Sequence, residues 1–168
     1  DAAAAIAVKA FSTLRPLISS ENWELMRQKI PETVRDDRLG LLLAARSGSR
    51  LAGSVRYTGP GHGGHVIYPD NYAYIRALSV DPDLAGGGIG SKLSRACIER
   101  ARIDGAAAVG LHVARANSRA VALYTGLGFR YLKPAPEYFG IPYDVYHISF
   151  QEDDDGIRIA GENELAVV

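Results

Sequence analysis

A single cysteine, Cys97, excludes an internal disulfide framework. Its place on an apolar helical stripe favours a buried packing role over redox or nucleophilic chemistry, and cysteine this sparse is consistent with a reducing compartment. Net charge is lacking as well. The 19 basic and 19 acidic residues cancel, so nothing in the bulk charge draws the chain to nucleic acid. No apolar run is long enough to span a bilayer and no signal peptide is visible, so the expected setting is cytoplasmic, with no membrane partner. Metal ligands do not assemble either: His62 and His65 have H-x-x-H spacing, but only Asp70 lies near enough to extend the set, and no metal is expected. A P-loop is missing, because Lys92 in Gly88-Ile89-Gly90-Ser91-Lys92 is not directly preceded by Gly and followed by Ser or Thr. The dinucleotide fingerprint fails too. Lys92 and Leu93 stand where its third glycine should fall, and Asp104 reads as the end of a helix rather than of a second strand.

What is present suits one domain with a sizeable core: 168 residues, 47% of them hydrophobic. The expected division is a single domain over 1–150 and an acidic tail over 151–168, which opens on Glu152-Asp153-Asp154-Asp155. The element pattern begins with a helix over 1–20, with Ala5, Val8, Leu14 and Ile18 apolar and a break near Pro16. A second helix over 21–30 carries Trp23, Met26 and Ile30 at three- and four-residue spacing. Strands over 39–45 and 50–57 flank a Ser47-Gly48-Ser49 turn. A long Gly/His/Pro loop, 58–71, precedes a strand over 72–80, and a second long loop covers 133–142 before a last strand over 143–150.

The most informative segment joins that 72–80 strand to a helix. Gly86, Gly87, Gly88 and Gly90 sit between Val80 and an amphipathic stretch in which Ile89, Leu93, Cys97 and Ala101 recur every four residues. A glycine turn at a helix start lets unpaired backbone N–H groups face outward together, where the helix dipole adds positive potential. The matching ligand is a phosphate or pyrophosphate. Beyond Gly105, which ends this helix, residues 106–113 read as a buried strand. Asn117 then caps a helix with Ala120, Leu123, Tyr124 and Leu127 on one face; Gly128 stops it, and 129–132 resumes as strand.

The order of these elements resembles the GNAT superfamily of acyl-CoA N-acyltransferases. The resemblance is carried by Leu78-Ser79-Val80-Asp81-Pro82, by Gly86-Gly87-Gly88-Ile89-Gly90, by 117–124 with its Asn117 and Tyr124, and by Gly126-Leu127-Gly128-Phe129. It covers about 74–131. It implies an α/β (α+β) single domain: a mixed, mostly antiparallel central sheet flanked by helices and splayed at the strand before the glycine turn. It implies acetyl-CoA as donor and an amine, small molecule or peptide, as acceptor, in a monomer or homodimer. The cofactor-binding set implied is Leu78, Ser79, Val80, Ala85, Gly86, Gly87, Gly88, Ile89, Gly90, Ser91, Asn117, Ala120 and Tyr124. Val80, through its N–H on the thioester carbonyl, and Tyr124, as proton donor to the leaving thiolate, are the implied catalytic groups. Asn117 would bond the pantetheine arm as well as cap its helix.

Three departures stand out. Ala85 replaces the Arg or Gln usual in the turn, which leaves backbone donors to hold the phosphates. Tyr74 stands where many members carry a glutamate base. Asp1 leads straight into a helical stretch where the family usually has an opening strand, so either that strand lies ahead of Asp1 or the sheet starts later. The proton acceptor for the incoming amine is therefore open among His62, His65, His112, His147, Glu137 and Tyr138, directly or through water. The two long loops, with Tyr57, Tyr68, Tyr72, Tyr74, Tyr138, Phe139 and Tyr143, are expected to form an aromatic rim around the acceptor. Two other readings stand beside the enzyme: a non-catalytic acyl-CoA-binding sensor or scaffold that has lost its base, and a Rossmann-type nucleotide binder, against which 117–129 argues.

Overall fold

The computed structural model describes residues 2–62 and 65–150. The acidic tail expected over 151–168 lies outside the described residues. Among the described residues six strands form one sheet in the order β1-β2-β3-β4-β6-β5. They are β1 (Leu41–Ser47), β2 (Arg50–Thr58), β3 (Tyr72–Val80), β4 (Ala108–Ala114), β5 (Arg130–Pro134) and β6 (Tyr143–Ser149). Every neighbouring pair is antiparallel except β3–β4. Helices α1 (Ala2–Phe11) and α2 (Ser20–Arg35) cover one face; α3 (Ile89–Ile103) and α4 (Ser118–Gly126) cover the other. The mixed, mostly antiparallel sheet flanked by helices is as expected. Among the described residues no helix is long and apolar enough to cross a membrane.

Alternation along the strands decides which residues meet which helices. Val55 and Tyr57 of β2, Ala73 and Ile75 of β3, and Val109, Leu111 and Val113 of β4 are buried with Leu93, Cys97 and Ala101 of α3 and Tyr124 of α4. On the opposite face Ala4, Ala7, Met26, Ile30 and Val34 form a second cluster with Ala114 and Tyr143. The fully buried Arg56 ties that layer to the sheet. Its guanidinium donates to the Val34 carbonyl at the end of α2 and, at 2.9 Å, to the Gly40 carbonyl. A cation there also opposes the negative end of the helix dipole.

Several boundaries differ from those the pattern suggests. The first helix ends at Phe11 and gives way to a 3₁₀ turn, Ser12–Leu17. It buries Ala4 and Ala7 rather than Ala5 and Val8, because a run of alanines does not mark its own inner face. The second helix passes Pro31 and runs to Arg35. Proline withholds a donor from the Arg27 carbonyl, but Arg27 is exposed, so water can replace it. Val34, one turn beyond Ile30, adds the burial that keeps the helix going. A 3₁₀ turn, Asp37–Leu39, delays β1 to Leu41. β4 starts at Ala108 rather than 106. β5 extends to Pro134, which an edge strand tolerates. Gly105, at φ 72°, does follow the last turn of α3, and Asn117 caps α4 by accepting from the Ala120 N–H at 3.2 Å.

Candidate active site

The site originates in a slip of register. Arg56 faces Arg76, but Ser54 faces Ser79. Ala77 and Leu78 together therefore oppose Val55 alone, a bulge in β3. Ala77 takes a left-handed φ of 52°, which is costly for a residue with a Cβ and persists only where its surroundings enforce it. A bulge bends its strand. The parallel pairing of β3 with β4 stops at Tyr74 and Gly110, although the strands continue to Val80 and Ala114. The sheet is open between them, at the strand where a splay was expected. β3 stays bonded on its other side, where the Asp81 N–H donates to the Ala52 carbonyl at 2.8 Å. Successive donors along an antiparallel strand point to opposite sides, so the Val80 N–H is directed into the gap.

Two cavities meet at the opening. The larger, about 380 Å³, has Leu78, Val80, Ala85, Gly86, Gly88, Ile89, Gly90, Ser91, Asn117 and Ala120 in its wall. Ten of the residues expected to hold the cofactor are thus brought together. Three are not in this wall. Ser79 is buried and turned toward Ser54, with the hydroxyl oxygens 3.4 Å apart; Gly87 is exposed; Tyr124 lines the second cavity. Gly88 caps α3 at φ 74°, and nothing lies within 4 Å of the position its Cβ would take. The glycine is required by the backbone, and the space over it is free for a ligand. At Gly90 an added Cβ would stand 3.3 Å from Leu123 and 3.7 Å from Val80, narrowing the apolar floor.

The sequence reading missed the far wall of this cavity, which is Ala10, Thr13, Pro82, Arg119 and Leu123. Ala10 and Thr13 come from the end of α1 and the turn after it. Lys9 holds that end in place, with its ammonium 3.1 Å from Asp81 and 2.9 Å from Asp83, and Arg50 pairs with the same two carboxylates. The Asp83 N–H, with Lys9 and Arg50 beside it, keeps the Asp81 carboxyl below the usual carboxylate range. No periodicity in α1 foretells a link across 72 residues.

The second cavity, about 80 Å³, shares Leu78 and Asn117 with the first and adds Arg76, His112, Tyr124 and Tyr143. Tyr124 is buried, its ring edge-on to Phe129 at 5.6 Å between centroids. Burial pushes its phenol well above the ordinary range, so it is protonated at neutral pH. No hydrogen bond from its hydroxyl forms among the described residues, and the side chain lines the cavity.

Of the candidate proton acceptors only His112 lines this cavity. Burial, helped by His65 and Arg76, lowers it to about 4, and its Nδ1 is 3.0 Å from the Tyr68 hydroxyl. His62 and Glu137 are exposed, and His147 is engaged with the Tyr72 hydroxyl at 3.2 Å. The aromatic rim is smaller than expected. Tyr68, Tyr74, Tyr138 and Tyr143 surround His65 and His112. Tyr72 packs against Tyr68 and Tyr74 with its hydroxyl on His147, whereas Tyr57 donates to Asp104 at 2.7 Å and Phe139 packs with α1 and α2. Gly110 makes the rim possible, since a Cβ there would come within 2.5 Å of the Tyr68 ring.

The sequence model of a family described as "Acetyltransferase (GNAT) family" matches residues 7–129. A mycothiol acetyltransferase of Streptosporangium roseum is 41% identical over 69 residues, which is 41% of this chain and 20% of that protein. A second, from an Arthrobacter species, is 33% identical over 114 residues, covering 65% of this chain and 34% of the relative. The chain thus spans between 20% and 34% of the length of the curated relatives it matches. Among solved structures, the PaiA N-acetyltransferase of Thermoplasma acidophilum in complex with coenzyme A superposes with a TM-score of 0.66 at 19% identity, covering 88% of this chain and 90% of that one. The ribosomal-protein-S18-alanine N-acetyltransferase of Escherichia coli gives 0.54 at 20% identity, over 78% and 81%. At these identities the structural likeness speaks to the fold.

Proposed function

The chain belongs to the acetyltransferase (GNAT) family, and from that premise we propose that it moves an acetyl group directly from acetyl-CoA to a primary amine, of a small molecule or a peptide, across the opening between β3 and β4. The observation that carries this reading is the meeting of the two cavities at Leu78 and Asn117. One cavity has the walls a pantetheine-pyrophosphate ligand needs, and the other contains a protonated phenol.

The residues fit the donor. The unpaired N–H groups of the glycine turn and the first turn of α3 receive the pyrophosphate, with Arg119 in the same wall supplying a positive charge that Ala85 does not. Leu78, Ile89 and Leu123 give the arm an apolar bed, and Asn117 keeps its amide N–H groups available while its oxygen caps α4. Bound acetyl-CoA supplies an activated acyl group. The Val80 N–H, free of β2, stabilises charge that develops on the acyl oxygen. Tyr124 gives its proton to the departing sulfur. His112, at about 4, is too weak a base to take a proton from an alkylammonium near pKa 10. The amine therefore enters neutral, and the proton released on bond formation passes through water and restores the Tyr124 phenol. A donor made by central metabolism suits a cytoplasmic setting.

The test is thiol release from acetyl-CoA in the presence of a panel of primary amines, comparing the wild-type protein with Gly90→Glu. Amine-dependent release by the wild type that disappears in the variant supports the reading. Tight coenzyme A binding with no release for any amine favours the sensor reading instead.

A further inference from the structure

Among the described residues Arg76 has no counter-ion. It stands in β3, on the wall of the second cavity, with its guanidinium over the Tyr74 ring at 4.8 Å. Its Nε is buried without a partner, and among the described residues no hydrogen bond or ion pair holds the side chain. Arg56, the other arginine in the sheet interior, is met by two carbonyls and Asp37. Arg76 is close enough to His65, Tyr68, His112 and Tyr138 for its charge to act on each. Burial keeps the imidazoles and phenols among them neutral at pH 7, so none offsets that charge.

A cation kept from full hydration and given only neutral neighbours is costly unless a ligand completes it. Its flat fork of donors matches a carboxylate. The same charge disfavours a second cation, which argues against polyamine or lysine-rich acceptors. Resting on the acetyl-transfer reading above, we propose that the acceptor is a compact amine that carries a carboxylate, of the amino-acid kind, and that Arg76 binds that carboxylate in the cavity where the amine meets the thioester.

The test needs no turnover. Protein saturated with coenzyme A is titrated calorimetrically with N-acetylglycine, N-acetylalanine and N-acetylphenylalanine, each against its amide. The expected result is that the carboxylate of at least one pair binds about ten-fold or more tightly than its amide. Arg76→Gln removes that preference and Arg76→Lys keeps part of it. Coenzyme A binding by Arg76→Gln verifies that the variant is folded, and should it not fold, the wild-type pairs and Arg76→Lys decide. The proposal is overturned if no pair differs by more than about two-fold, or if the preference survives in Arg76→Gln. Failure of the acetyl-transfer reading shows separately, as absent coenzyme A binding by the wild type or as coenzyme A binding without thiol release for any amine, and takes this proposal with it.

Discussion

His112 should make the fold sensitive to mild acid. In the folded chain the imidazole is lowered from the ordinary 6.5 to about 4, chiefly by burial. As pH falls below 6.5 the unfolded chain takes up a proton that the folded chain refuses. The contribution is therefore whole above about pH 6.5, declines between 6.5 and 4, and is gone below 4. At about 1.4 kcal/mol per pH unit the loss is roughly 3 kcal/mol, or about 2–3 kcal/mol once the partial exposure of the ring is allowed for. Urea unfolding at intervals from pH 7.5 to 4, on wild type and His112→Gln, measures it. Glutamine retains an acceptor for the Tyr68 hydroxyl but does not titrate. His65 and His147, also lowered by burial, act in the same direction in both proteins, so the difference between the curves isolates His112. The gap between them should change by about 2–3 kcal/mol across the window. Parallel curves, or an NMR titration of His112 near 6.5, would refute the burial argument.

Tyr124→Phe should lower turnover by roughly 10²-fold with little change in the Michaelis constant for acetyl-CoA. Because the hydroxyl bonds no group among the described residues, thermal unfolding of the variant should be near wild type, and full activity would remove Tyr124 from the mechanism. Gly88→Glu and Gly90→Glu should abolish coenzyme A binding, whereas Ala85→Arg should tighten it through a charge-assisted contact to phosphate; calorimetry reads both, and weaker binding by Ala85→Arg would contradict the placement of the turn. Arg56→Ala should cost roughly 2–4 kcal/mol in urea unfolding, because the buried Val34 carbonyl and the part-buried Gly40 carbonyl lose their donor and a large cavity opens.

The parts of the fold written in local patterns were legible in the sequence. The stripe of Leu93, Cys97 and Ala101 marks α3 and its buried side, Asn117 marks the start of α4, and the glycine run marks the turn that shapes the larger cavity. What was not legible depends on contacts between distant segments. Ala10 and Thr13 reach the cavity because Ala4 and Ala7 pack α1 into the second buried cluster, with Lys9 paired to Asp81 and Asp83 beside it. The separation of Tyr57 from the rim follows from its bond to Asp104, and that of Phe139 from its packing with α1 and α2. Arg76 did leave a sign: it is the one charged residue inside the 72–80 strand, and reading Tyr74 in the place of the missing glutamate passed over it.

Direct transfer across the opened sheet is tested most directly by a quenched single turnover. Protein in excess over acetyl-CoA carrying a deuterated acetyl group is mixed with an accepted amine, quenched at intervals and analysed by mass spectrometry for free thiol, acetylated amine and labelled protein. The account predicts one labelled acetylamine for each thiol released, with matching time courses and no acetyl group on the protein at any time. An acetylated protein that forms before the product, or thiol released without acetylamine, would contradict it.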